Sequence, residues 1–187
     1  MNDNELLIRR FEDLAFQAEK RGTYTFSPFL SLGEQDTFLK NCPRLRLPAS
    51  LYSVRPGSER KPAVFGSEAL FGYPPEVPVT VLKISPLSEK FSETLSHRDY
   101  LGAALGLGIQ REWLGDLRVL GTTAYVFCLP SVEPLLRDEL DKAGRVSVKV
   151  RPCPLSDVPA PEQKVKPLSF TVKSLRLDAV AGSMFGL

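Results

Sequence analysis

From residue 77 onward the hydrophobic pattern falls into six segments, and their order constrains the fold more than any other feature of the chain. A β-branched run, "VPVTVLKI" at 77–84, precedes a helical stretch at 96–107. Strand-like segments follow at about 113–120 and 123–129, then a second helical stretch at 131–143 and the alternating "RVSVKVR" at 145–151. The order β-α-β-β-α-β predicts a split βαβ, ferredoxin-like arrangement. In it one four-stranded antiparallel sheet carries both helices on one face and leaves the other face for a partner. RNA-recognition domains are one common user of such a face. In the last strand Val146, Val148 and Val150 alternate with Ser147, Lys149 and Arg151, giving one buried face and one basic, wet face. Ser131 as N-cap, Pro134 in the first turn and Gly144 as the stop delimit the second helix.

Upstream, residues 4–21 place Leu7, Phe11, Leu14, Ala15 and Ala18 at three- and four-residue spacing, which predicts an amphipathic helix closed by Gly22. Ser31 with Glu34 three residues on predicts a capping box in front of Phe38 and Leu39. Residues 44–66 read as extended segments around the turn in "RPGSERK". "GYPPEVP" at 72–78 removes three amide donors and disfavours helix, so it marks the best boundary in the chain. The expectation is therefore an α+β protein, with a small N-terminal α/β unit at 1–74 and a ferredoxin-like, RNA-recognition-like domain at 75–156. A proline-rich linker begins at 157.

"LSHRDYLGAALGLGIQREWLGD", residues 95–116, holds the single histidine of the chain inside a His-Arg-Asp triplet. A kinase catalytic loop needs a magnesium-binding asparagine five residues after its aspartate, and that position is Ala104. Ser96 and Asp99 instead have the spacing of a capping box. Capping puts His97 and Arg98 in the first helical turn, beside free N–H groups that attract anions, although both can also be plain solvated residues. Gly102, Ala103 and Gly106 form a stripe almost without side chains, which predicts a close neighbour there, and Gly108 reads as a left-handed helix stop. Trp113, placed at the start of a strand, can be core or a base-stacking platform. Tyr125 and Phe127 share one strand face and are read as core before stacking surface.

A formal charge of +2 is too small to announce a nucleic-acid binder, so any such reading rests on where the 24 Lys and Arg fall. Cys42, Cys128 and Cys153 are odd in number and far apart, which argues for reduced, structural thiols rather than a disulfide framework or zinc site. No apolar run reaches the length of a membrane span. One histidine, no metal-ligand cluster and no nucleophile with a neighbouring base leave little machinery for catalysis. The expectation is a non-enzymatic, cytoplasmic monomer with no metal, cofactor, membrane or small-molecule substrate.

Three separated stretches, "RPGSERKPAVF" at 55–65, "LSHRDYLGAALGLGIQREWLGD" at 95–116 and "SLRLDAVAGSMFGL" at 174–187, resemble the motifs of the YlmH family of bacterial proteins, in the same order. The resemblance implies an N-terminal α/β unit, a middle RNA-recognition-like domain and a C-terminal RNA-binding domain of the ribosomal protein S-four type. Residues 157–187 are then the linker and the opening of that last domain, with the chain cut short at its start. The resemblance also implies a ribosome-associated RNA-binding protein whose partner is ribosomal RNA or tRNA. Family members are linked to the large subunit carrying stalled peptidyl-tRNA and, by genetic neighbourhood, to cell division. A protein-interaction adaptor using the ferredoxin-like sheet is the alternative. Family motifs carry over onto Arg55, Glu59, Arg60 and Lys61, onto His97, Arg98 and Arg111, and onto Arg176. The basic residues are the expected phosphate contacts, because cations at loop tips and helix starts reach a backbone without reading bases, and Glu59 is expected to orient an arginine. Trp113 departs from the family pattern, in which that position is usually polar or charged.

Overall fold

The computed structural model of the chain describes residues 3–88 and 95–160. Helix α1 (Asp3–Arg21) turns Phe11, Ala15 and Ala18 inward, the face its apolar spacing dictates. It packs on a three-stranded antiparallel sheet of β1 (Thr25–Leu30), β2 (Ala49–Leu51) and β3 (Lys61–Phe65), in the order β1-β3-β2. Helix α2 (Leu32–Asn41) opens with the expected capping box of Ser31 and Glu34 and buries Phe38. The Phe38 ring meets Phe11 edge-on at 5.2 Å and Phe65 at 5.9 Å, closing this first core. A short helix α3 (Glu68–Phe71) follows β3.

Strand β1 has no counterpart among the expected elements, and its chemistry explains why. Pro28 has no N–H to give the ladder, so the register with β3 slips between Phe26 and Phe29. The Ala63 amide donates instead to the Ser27 hydroxyl oxygen at 2.8 Å.

The second sheet has the ferredoxin-like topology. Strands β4 (Thr80–Pro86), β5 (Leu114–Leu120), β6 (Thr123–Cys128) and β8 (Val146–Pro152) lie in the order β5-β6-β4-β8, every pair antiparallel. Helices α4 (His97–Gly106) and α5 (Glu133–Glu139) cover one face. Tyr100, Ala104 and Leu136 pack there against Leu82, Ile84, Val126 and Val148. The chain is thus an α+β protein, as its pattern of periods predicts. Ser96 and Asp99 form the anticipated reciprocal cap, with the Ser96 amide 2.8 Å from the Asp99 carboxylate. Those bonds from the Ser96 side chain and backbone hold the Asp99 carboxyl below the usual carboxylate range, which gives it a capping duty. Gly108, at φ +82°, stops α4, and Ile109 behind it is buried.

The second sheet departs from expectation at α5 and along α4. Helix α5 ends early and is capped at Val132 without a side-chain bond, not at Ser131. Gly144 does not stop a helix; it sits at φ +57° in the two-residue turn between a fifth strand, β7 (Lys142–Ala143), and β8. The chain leaves the helix because the Asp141 carbonyl accepts from the Val148 amide at 2.8 Å. The glycine stripe of α4 meets nothing: a Cβ added at Gly102 or Gly106 would have no atom within 4 Å. Tyr100 and Ala104 form the core face of α4, and the glycines look outward.

The outer face of the second sheet is not wholly free, contrary to the sequence expectation. Phe29 from β1 and Val158, after the 3-10 turn Leu155–Asp157, pack on Val81, Tyr125 and Phe127. Tyr125 is left 7% exposed and Phe127 3%, so neither can stack on a base. Trp113 lies in the 3-10 turn Arg111–Trp113 ahead of β5, half-buried against the helix-side core.

Candidate nucleic-acid interface

The loop that carries "RPGSERK" and the turn that leads into β5 meet where the first sheet docks on the second. Asp116 organises the meeting. Its two carboxylate oxygens accept the backbone amides of Glu59 and Arg60, each at 3.0 Å. From the other side, the Gln35 side-chain amide donates to the Glu59 carbonyl at 2.7 Å and to the Leu30 carbonyl at 2.9 Å. Arg60 donates through Nη2 to the Phe29 carbonyl at 2.7 Å. Arg111 donates through Nη1 to the carbonyls of Leu114, at 2.7 Å, and Gly115, at 3.2 Å. Above these bonds the Phe29 ring lies so close to Gly115 that any Cβ there would stand 2.7 Å from it. Arg10 on α1 adds a two-pronged pair with Glu112, both contacts 3.2 Å. That pair is exposed, so it fixes orientation more than it adds stability.

These contacts frame a cleft of about 420 Å3 whose lining includes Ser31, Glu59, Arg60, His97, Arg111 and Asp116. Two capped helix starts, those of α2 and α4, open on it. Burial holds the Arg111 guanidinium below its ordinary value. Arg60 pushes the same way, and Asp116 and Glu59 oppose it. The Arg60 Nε is buried without a hydrogen-bond partner. An incoming acceptor such as a phosphate oxygen would meet the side chains of Arg60, His97 and Arg111, with the carboxylates of Glu59 and Asp116 beside them.

The structure thus brings Arg60, His97 and Arg111, read from stretches some forty residues apart in sequence, to one cleft, with Glu59 beside them. Arg111 is tied to carbonyls rather than standing free at a loop tip. Arg55 and Lys61 flank Arg60 and are half-buried; they are not among the residues that line the cleft, and Arg55 Nη1 is buried without a partner. Arg98 is exposed next to His97. Arg176 lies outside the described residues, as does the rest of 161–187. Sequence reading missed Asp116. Its one signal was the "GD" after Trp113, a glycine where a ring needs room and a carboxylate beside it. Among the described residues no group of His, Cys, Asp and Glu could hold a metal ion. The Cys128 thiol is pushed up to about 12 by burial, with Glu133 adding to it, and is no nucleophile at neutral pH. No described helix is long and apolar enough to cross a membrane.

Residues 76–157 match the family described as "Putative RNA-binding domain in YlmH". A curated protein of Bacillus subtilis (strain 168), "Ribosome-associated protein quality control protein P2", is 34% identical over 91 residues, 49% of this chain and 35% of that protein. Over residues 76–157 the chain is thus similar to the YlmH family. The match to the Bacillus protein leaves about two thirds of that relative's length uncovered. A solved structure, "Cell division protein ylmH from Streptococcus pneumoniae", shares the fold with a TM-score of 0.64, covering 83% of this chain and 94% of that one at 19% identity. The YlmH match at 76–157 contains the α4 and β5 wall of the cleft, with His97, Arg98, Arg111 and Asp116. The opposite wall, with Glu59 and Arg60, lies upstream of it.

Proposed function

We propose that this chain is a non-enzymatic RNA-binding protein. It docks as a monomer on ribosomal RNA, or on the large ribosomal subunit carrying peptidyl-tRNA, through phosphate contacts in and around the cleft. The observation that carries this reading is the convergence of Arg60, His97 and Arg111 on one cleft with an unsatisfied guanidinium donor. The name of the Bacillus relative, a ribosome-associated quality control protein, points the same way. Units 1–74 and 75–156 serve it as the two walls of one site, and the first is no separate module. Arg98, Lys61 and Arg55 supply outlying phosphate contacts, and Arg176 is proposed as a further one.

The test reverses charge where doing so spares the fold. Arg98 occupies the second position of α4, where an acidic side chain suits the helix dipole, and Lys61 opens a strand at the surface. Arg98→Glu with Lys61→Glu is expected to leave stability within about 1 kcal/mol of the parent. It should lower the salt slope of binding to isolated large ribosomal subunits by roughly 1.4 to 1.8, because each lost phosphate contact removes about 0.7 to 0.9. Unchanged affinity and slope in a folded double variant would remove the cleft rim from the interface.

A further inference from the structure

We propose that the uncovered part of the outer face of the second sheet, built on Lys83, Lys149 and Arg151, is a second contact surface for an RNA backbone, separate from the cleft. The proposal rests on the RNA-binding reading above and adds a surface that reading does not use.

Strand alternation puts these residues together. Leu82, Ile84, Val148 and Val150 point to the helices, so Lys83, Ser85, Lys149 and Arg151 stand on the opposite face. The register pairs Lys83 with Arg151, and Ser85 with Lys149, across β4 and β8. On the other side Lys83 pairs with Tyr125, and Tyr125 with Arg118. Arg118, Lys83 and Arg151 therefore share one cross-strand row, about 14 Å from end to end at the usual strand spacing.

Directly opposed like charges destabilise a strand pair, yet Lys83 and Arg151 face each other with Lys149 one step along. All three are exposed, and among the described residues none of them has an ion-pair partner. Together with Ser85, Thr122 and Thr123 they line a depression of about 440 Å3 that contains no described carboxylate. Arg118 Nη1, in the same row, is buried without a partner. Three unpaired cations among three hydroxyls form a set of donors whose complement is a run of phosphates.

The covered half of the face decides the manner of binding. Sheets that read RNA bases do so with exposed aromatics, but Tyr125 and Phe127 are buried under Phe29 and Val158. What stays open offers charge and hydroxyl groups without a stacking platform, so the contact reads the backbone and is indifferent to sequence. An acidic protein segment would meet the same charges. It would lack a buried apolar socket for an anchoring side chain, because only Pro86 and Leu87 are apolar among the lining residues.

The experiment compares the full chain with the triple variant Lys83→Gln, Lys149→Gln, Arg151→Gln. Binding to labelled ribosomal RNA fragments is followed by fluorescence anisotropy from about 50 to 200 mM salt, with poly-L-glutamate as the competing polyanion. Substituting three exposed side chains leaves the thermal midpoint within a few degrees. The salt slope is expected to fall by about 2 to 3, with affinity at the lowest salt weakened roughly tenfold or more. The loss should be equal for fragments of different sequence. A parent that binds with a steep slope and a triple variant that keeps it would overturn this surface and leave the cleft reading standing. A parent with no salt-sensitive RNA binding would overturn both. Loss of poly-L-glutamate binding with RNA binding intact would assign the face to an acidic protein and overturn the proposal.

Discussion

Replacing Phe29 by alanine is expected to cost about 3 to 5 kcal/mol, the largest effect of any single change at the meeting of the two sheets. The ring is 1% exposed. It belongs to β1 of the first sheet but packs with Val81, Tyr125, Phe127 and Val158 of the second half of the chain. Gly115 is shaped around it, with no room for a Cβ, so the backbone of β5 cannot easily close over the void that alanine would leave. The loss should appear as a lower denaturant midpoint. It should also uncover Tyr125, whose fluorescence and solvent accessibility would then change in a folded variant. A cost below about 1 kcal/mol would mean that Phe29 does not fasten the first sheet to the second.

Asp116→Ala is expected to cost about 2 kcal/mol. The carboxylate accepts two backbone amides, and hydrogen bonds to charged groups contribute about 1.5 to 3 kcal/mol each when buried, a figure lowered here because the Glu59 bond is exposed. The substitution also removes the carboxylate that opposes the crowding of Arg60 and Arg111. The Glu59 and Arg60 amides then lose their acceptor, while the Gln35 and Arg60 side-chain bonds remain, so amide exchange at Glu59 and Arg60 should accelerate before the sheets unfold. Asp116→Asn keeps one acceptor oxygen and should recover about half of the loss. Equal exchange at those two amides in the parent and in Asp116→Ala would contradict this role.

The elements legible in the sequence are those whose determinants are local. The alternation in β8, the capping boxes at Ser31 and Ser96 and the left-handed Gly108 are each set by residues within a turn or two of one another. Strand β1 was not legible, because Pro28 reads as a breaker until the partner strand is in place, where the Ala63 amide finds its acceptor in the Ser27 hydroxyl oxygen across the slipped register. Gly144 carried the signal for a left-handed residue, and only the pairing of Ala143 with Val146 shows that a hairpin uses it rather than a helix end. The glycines of α4 suggested a close neighbour, but one at the edge of the fold leaves the same sequence mark as one against a sheet.

The site divides in a similar way. Residue types and the family resemblance singled out Arg60, His97 and Arg111, while their common cleft depends on Asp116 and Phe29, whose contacts span more than fifty residues. The covering of Tyr125 and Phe127 was hidden for the same reason. A strand pattern shows which face is apolar, and it does not show what lands on it.

Cross-linking of the protein to RNA in cells, with the attached nucleotides mapped to peptides, tests the central claim most directly. Ribosomal RNA or tRNA nucleotides are expected on the peptides that contain residues 55–61 and 97–111. Nuclease treatment should also release the protein from ribosomes. Ribosome or protein association that survives nuclease, with no nucleotide on either peptide, would contradict that claim and favour a protein-interaction adaptor.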